Sequence, residues 1–211
     1  MIEAFVTAFI IYFVVIDPVG NAPIFLAVTQ HQDRARKLRT ALEGTAIATA
    51  IMLFFALCGA WILGYLNISE AAFRIAGGII LFLVALDMLA AKRQQRKREA
   101  TTDDGAAEPD NVAVYPLAIP LLAGPSAIMS VIVVTAGFAA DGVGGVVTGY
   151  AALLAVMVAT GAILSLTVLA EDWMNEKITM VFSRITAIIL AGLSVQYVID
   201  GLVAIGLITL P

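Results

Sequence analysis

A chain of 211 residues that is 61% hydrophobic and only 13% charged cannot cover itself with a water-compatible surface, and its mean hydropathy of +0.99 excludes a soluble globular domain. The sequence is that of an integral membrane protein. The formal net charge of -4 says little as a total, whereas the placement of the charges says a great deal.

Apolar runs long enough to cross a hydrocarbon core of roughly 30 Å lie at 2–28, 41–64, 72–91, 113–136, 145–170 and 180–207. They predict an all-α membrane protein with six transmembrane helices. The first run has neither a basic leading region nor a small-residue cleavage site, so it is expected to be a mature helix and not a signal peptide. Cys58, the single cysteine, falls in the second span, which excludes an intrachain disulfide and a cysteine-built metal cluster.

Orientation follows from lysine and arginine in the loops. Arg34, Arg36, Lys37 and Arg39 separate spans 1 and 2; Lys92, Arg93, Arg96, Lys97 and Arg98 separate spans 3 and 4; Lys177, with Arg184 just beyond, separates spans 5 and 6. Of the 12 basic residues only Arg74 falls on the other side. The expectation is that loops 1–2, 3–4 and 5–6 are cytoplasmic and both termini face outward.

The stretch KRQQRKREATTDDGAAEPDN, residues 92–111, reads as a solvated cytoplasmic linker whose main effect is to fix topology. It divides the chain into 1–91 and 112–211, each with three spans. Because three is odd, two related halves must be inserted in opposite senses, as an inverted repeat. Each half also begins with an interrupted helix: DPVGNAPIF in the first, PLAIPLLAGPSAIM (116–129) in the second. Sliding one on the other aligns Pro18 through Ile24 with Leu122 through Ile128. Helices 1 and 4 are therefore expected to be broken near the membrane midplane.

Proline inside a span removes a donor and leaves carbonyls that need partners within the protein or a watery cavity. Asp17-Pro18 has the chemistry of a helix start, with a carboxylate to cap exposed N–H groups and proline in first position. Asn21 and Gly124-Pro125-Ser126 offer the same chemistry. Restarted helices running in opposite directions would turn their positive ends toward one another and suit an anionic group such as a carboxylate. Asp17 is costly at depth, about 2.5–3.5 kcal/mol on insertion scales. Three roles compete for it: a structural cap, a ligand for a substrate ammonium or coupling cation, and a proton relay.

Thr45, Thr49, Thr160, Ser165, Thr167 and Ser194 are expected to bond their own helices or glue neighbours together. Gln196 is the exception and a lesser candidate for the solute path, as is Pro120. Asp87 and Asp200 lie toward span ends. With one histidine, His31, no HExxH pair and no partner for Cys58, no enzyme and no bound cofactor or metal is expected.

Ile16 through Phe25 and Pro116 through Ile128 resemble the two signature segments of the MarC family of bacterial inner-membrane proteins, and the six-span layout fits over essentially the whole chain. The resemblance implies kinship with LysE-type transporters and with SnatA-type carriers of small neutral amino acids. It also implies a central site formed by Asp17, Gly20, Asn21 and Pro23 with Pro120, Gly124, Pro125 and Ser126. Ser126 stands where many relatives have glycine. The expectation is a secondary transporter of small neutral amino acids working by alternating access, with H+ or Na+ as a coupling ion. Its expected partners are a small solute, the lipid bilayer and a second copy in a homodimer, not nucleic acid. The alternative is a membrane protein without transport activity, a scaffold or a stress or antibiotic-response component.

Overall fold

The computed structural model describes residues 2–90, 112–139, 142–171 and 176–208; the expected linker 92–111 lies outside the described residues. Among the described residues every regular element is helical. In chain order these are α1 (Ile2–Ile16), α2 (Pro18–Val28), α3 (Arg34–Tyr65), α4 (Glu70–Leu89), a wide-turned helical segment (Ala113–Leu122), α5 (Pro125–Ala139), α6 (Gly142–Leu169) and α7 (Glu176–Ala204).

Five stretches are long and apolar enough to cross a membrane: α1 with α2, the first part of α3, α4, α6 and most of α7. A sixth is completed where the wide-turned segment and α5, bent by 57°, count as one span. Large apolar side chains such as Leu57, Trp61, Val158, Leu166 and Ile188 lie exposed on the outside of the bundle. In water such a surface would be a liability; in lipid it is solvated. The helices also begin earlier than apolarity alone suggests. α3 starts at Arg34, well before residue 41, because arginine and lysine are good helix formers that need no lipid to stay helical.

The hydroxyls behave as expected of residues in apolar helices. Thr45, Thr49, Thr160, Thr167 and Ser194 donate to carbonyls three or four residues back, at 2.7–2.9 Å. None of these bonds builds a polar path.

Close contacts set the relative directions of the helices. α4 and α7 pair most extensively, with glycines at the crossing. A Cβ at Gly78 would lie 2.6 Å from the Ser194 carbonyl oxygen, and one at Gly201 would lie 2.6 Å from Ile75 Cγ1 and 3.0 Å from the Ala71 oxygen. Numbers that rise on α4 fall on α7, so the two are antiparallel. α3 and α6 are antiparallel as well. Lys37 at the start of α3 donates to Glu171 beyond the end of α6 at 2.7 and 2.8 Å, while Thr45 faces Gly161 further in. α3 runs parallel to the bent fourth stretch, since Gly44 abuts Leu117 and Gly59 abuts Ile132.

The neighbours repeat in exchanged form. α1 packs on α6 as the wide-turned segment packs on α3, α2 packs on α6 as α5 packs on α3, and α2 meets α7 as α5 meets α4. The exchange is incomplete in two places, because α5 also packs on α6 and α1 also packs on α7, neither contact being matched by its exchanged counterpart.

Gly78→Leu should lower stability by about 1–3 kcal/mol through overpacking, read as a fall in the unfolding temperature of the detergent-solubilised protein. Gly192→Ala is the control. A Cβ there meets nothing within 4 Å, and removing a mid-helix glycine should be neutral or stabilising by up to about 1 kcal/mol.

Candidate functional site

The site is built by missing hydrogen-bond donors. Pro18 has no N–H and disfavours the helical conformation in the residue before it. Asp17 accordingly adopts φ 53° and ψ 60°, a left-handed conformation that aspartate tolerates better than most residues. Its N–H still donates to Phe13 and closes α1 at 2.9 Å, and its carbonyl accepts from Asn21 N–H at 3.0 Å and opens α2.

The Asp17 carboxylate then caps the new helix, Oδ1 accepting from Gly20 N–H at 3.0 Å. Glycine at position 20 lets that carboxylate sit tight against the backbone, because a Cβ there would displace it. The cap diverts the donor that would otherwise have reached the Ile16 carbonyl. Asn21 fills the gap, its Nδ2 donating to Ile16 O at 2.7 Å.

The second motif carries a matching defect. Within the wide-turned segment, Leu117 N–H donates to Val112 O at 3.3 Å, and Ala123 N–H donates to Ala118 O at 2.8 Å, five residues back in each case. Tyr115 and Ile119, each preceding a proline, are extended. Leu121 O would find its α-helical donor four residues on, and that residue is Pro125, which has none. Asn21 Nδ2 approaches it at 3.4 Å. One buried amide therefore serves a carbonyl from each half of the chain.

α5 opens at Pro125 as α2 opens at Pro18, and Gly124 O accepts from Ile128 N–H at 3.0 Å as Asp17 O accepts from Asn21. Matching the two helix starts pairs Asp17 with Gly124 and Pro18 with Pro125. The sequence alignment, which paired Gly20 with Gly124, lies three residues away from that match. Matching glycines misled it, since Gly20 makes room for the Asp17 carboxylate whereas Gly124 makes room for the Pro120 carbonyl, 2.6 Å from where its Cβ would be.

The two broken stretches diverge from this junction. Asn21 meets Leu121, while Thr7 of α1 shares a cavity with Phe138 near the end of α5. Their directions are therefore opposed.

Asp17, Gly20, Asn21 and Gly124 are all buried, with Asp17 6% and Asn21 1% exposed. Pro23, Pro120 and Ser126 are half-buried, and Pro125 is exposed. Gln196 does not belong to the junction. It is exposed on α7, donates to Asp200 at 2.7 Å and lines a separate cavity. Its polarity in an apolar span marked it, but it lies near the far end of α7.

Two groups at the site were not visible in the sequence. Leu121 contributes a carbonyl that no side-chain pattern announces. Tyr12, five residues before Asp17, is fully buried, and its hydroxyl has no hydrogen-bond partner. An aromatic at helical spacing reads as ordinary core.

The sequence model of the MarC family, described as integral membrane proteins, matches residues 2–206. This chain belongs to the MarC family. Similar proteins include a UPF0056 membrane protein of Methanocaldococcus jannaschii, 33% identical over 97% of this chain and 89% of its own length. One from Archaeoglobus fulgidus is 34% identical over 94% and 92%, and one from Aquifex aeolicus is 30% identical over 94% and 92%. No solved structure matches the chain significantly. As a MarC-family member the chain is a multi-pass integral membrane protein.

Asn21→Leu should leave the buried Ile16 carbonyl without its side-chain donor and cost about 1–3 kcal/mol. Asp17→Asn should preserve the fold, since asparagine caps helices and accepts left-handed geometry, whereas Asp17→Ala should cost about 0.5–2 kcal/mol. Thermal unfolding in detergent orders the three variants.

Proposed function

We propose that this MarC-family chain is a secondary transporter of small neutral amino acids, alternating between two accesses through the rocking of two inverted three-helix repeats, 1–91 and 112–211. The observation that carries this is the junction where α2 and α5 both begin with proline, lead away in opposite directions and share Asn21. The antiparallel pairing of α3 with α6 and of α4 with α7, and the exchanged neighbours, support the inverted repeat. The protein would sit in the cytoplasmic membrane with the basic loops inside and both termini outside.

The two helix starts are chemically unequal, and this suggests how a zwitterion would be held. At α2 the Gly20 amide is already taken by Asp17. At α5 the cap position is Gly124, which has no side chain, and first-turn amides have no partner within their own helix. A substrate carboxylate is better served at Gly124-Pro125-Ser126, and its ammonium at Asp17. Any coupling H+ or Na+ would meet the same carboxylate, the only buried Asp or Glu among the described residues.

A second reading has an observation of its own. Asp17 and Asn21 are buried and fully engaged, as they would be in a scaffold whose broken helices serve packing alone. A transporter visits such a closed state, while a scaffold never leaves it.

Counterflow of radiolabelled glycine, alanine and serine in proteoliposomes separates the two. Transport predicts saturable exchange, reduced about tenfold or more in Asp17→Asn by loss of a charge-assisted bond worth roughly 1.5–3 kcal/mol, with the unfolding temperature held. Absence of exchange for all three solutes, with or without Na+ or H+ gradients, favours the scaffold.

A further inference from the structure

Arg74 is the basic residue that the charge count leaves apart from the others, and the junction at Asp17 makes no use of it. It lines a cavity of about 260 Å3 between α1, α4, α5 and α7, at the end of the bundle remote from the Lys37–Glu171 pair. Asp200 and Gln196 of α7 line the same cavity, and Val133, Val134 and Leu193 supply apolar wall.

The two opposite charges do not neutralise one another. Among the described residues Arg74 reaches only Glu70 on its own helix, at 3.9 Å, the long limit of an ion pair, and that carboxylate is itself 59% exposed. Asp200 instead accepts the Gln196 amide at 2.7 Å. The Arg74 side chain is nevertheless only 25% exposed, and a guanidinium drawn out of water needs a partner that can reach it with two oxygens.

A cation and an anion that line one partly apolar cavity without pairing to each other are complementary to a small molecule that carries both charges. We propose that this cavity is a second subsite for a zwitterionic amino acid with an apolar side chain, its carboxylate on Arg74, its ammonium on Asp200 and its side chain against Val133, Val134 and Leu193. The volume lies just below the roughly 300–1,000 Å3 of pockets that take drug-sized ligands, the right scale for one amino acid.

The inference rests on the transporter reading but concerns a different place. Ile11 of α1 lines the cavity, and Asp17 lies ~9 Å further along the same helical path at 1.5 Å per residue. Tyr12, fully buried, stands between them with an unpartnered hydroxyl. In this reading the cavity is a vestibule to the junction.

The test uses the full chain in proteoliposomes, with Cys58→Ala and a single reporter, Gly137→Cys. A Cβ at Gly137 lies 3.4 Å from an Arg74 guanidinium nitrogen, an ordinary contact that places a thiol within the cavity. The rate of its alkylation by a maleimide is measured with and without leucine, alanine and glycine. Leucine near saturation should slow alkylation about fivefold or more, as mass action requires. The protection should vanish in Arg74→Gln and in Asp200→Asn, and persist in Arg74→Lys.

Protection that survives Arg74→Gln and Asp200→Asn overturns the proposal, as does its absence in the parent. Amino-acid exchange without protection removes the vestibule subsite and leaves transport standing. Protection without exchange, or retained in an exchange-dead Asp17→Asn chain, supports the subsite independently of the junction. Phosphatidylethanolamine carries the same pair of charges in its headgroup, so vesicles with and without that lipid are compared. Slowing that follows the lipid and ignores leucine overturns the amino-acid assignment.

Discussion

Lipid offers no water to a carbonyl or amide that its helix has abandoned, and that single condition organises the centre of this protein. Two prolines, Pro18 and Pro125, each open a helix where another has just ended. Each removes a donor from the ladder. The carbonyls so orphaned can be left neither bare nor wet, and the chain resolves both losses with one side chain. Asn21 donates to Ile16 O on its own side of the break and approaches Leu121 O on the other. The break before Pro18 is thereby tied to the break before Pro125 through one buried amide.

Around that junction the remaining helices pair antiparallel, α3 with α6 and α4 with α7. The inverted repeat proposed above would bring corresponding helices together in that sense. Antiparallel neighbours in lipid gain little from burying apolar surface, so close backbone approach has to carry the association. Gly78 and Gly201 provide it from the two sides of one crossing, where a methyl group would strike a backbone oxygen. At one end of the bundle the Lys37–Glu171 pair closes the α3–α6 contact.

Much of this was legible in the sequence because it depends on residue chemistry that acts locally. The apolar runs located the spans, Asp17-Pro18 located a helix start, and threonines in apolar helices bonded their own backbones. What escaped depends on distance along the chain. Leu121 has nothing in its side chain to mark it, and its need arises four residues later at Pro125 and is met a hundred residues earlier at Asn21. The register between the halves failed for a similar reason. Gly20 and Gly124 look alike as letters, yet one accommodates a carboxylate and the other a carbonyl. Gln196 was marked by polarity within an apolar stretch, a signal that carries no depth, and it lies with Asp200 and Arg74 at another cavity.

The two helix starts differ in a way that bears on the proposed function. Asp17 and Gly124 each precede a helix-opening proline, one supplying its own anion to the helix start and the other supplying none. A symmetric pair of bare helix starts would bind two anions; a symmetric pair of aspartates would bind none and would set two negative charges against each other. One of each leaves a single positive helix end facing a single fixed carboxylate, which is the charge pattern of a zwitterion in reverse. The same complementarity recurs where Arg74 and Asp200 face a shared cavity near the end of the bundle. Two places of like polarity, reached along α1, would suit the stepwise passage that the proposed transport needs. A scaffold would have no use for the second.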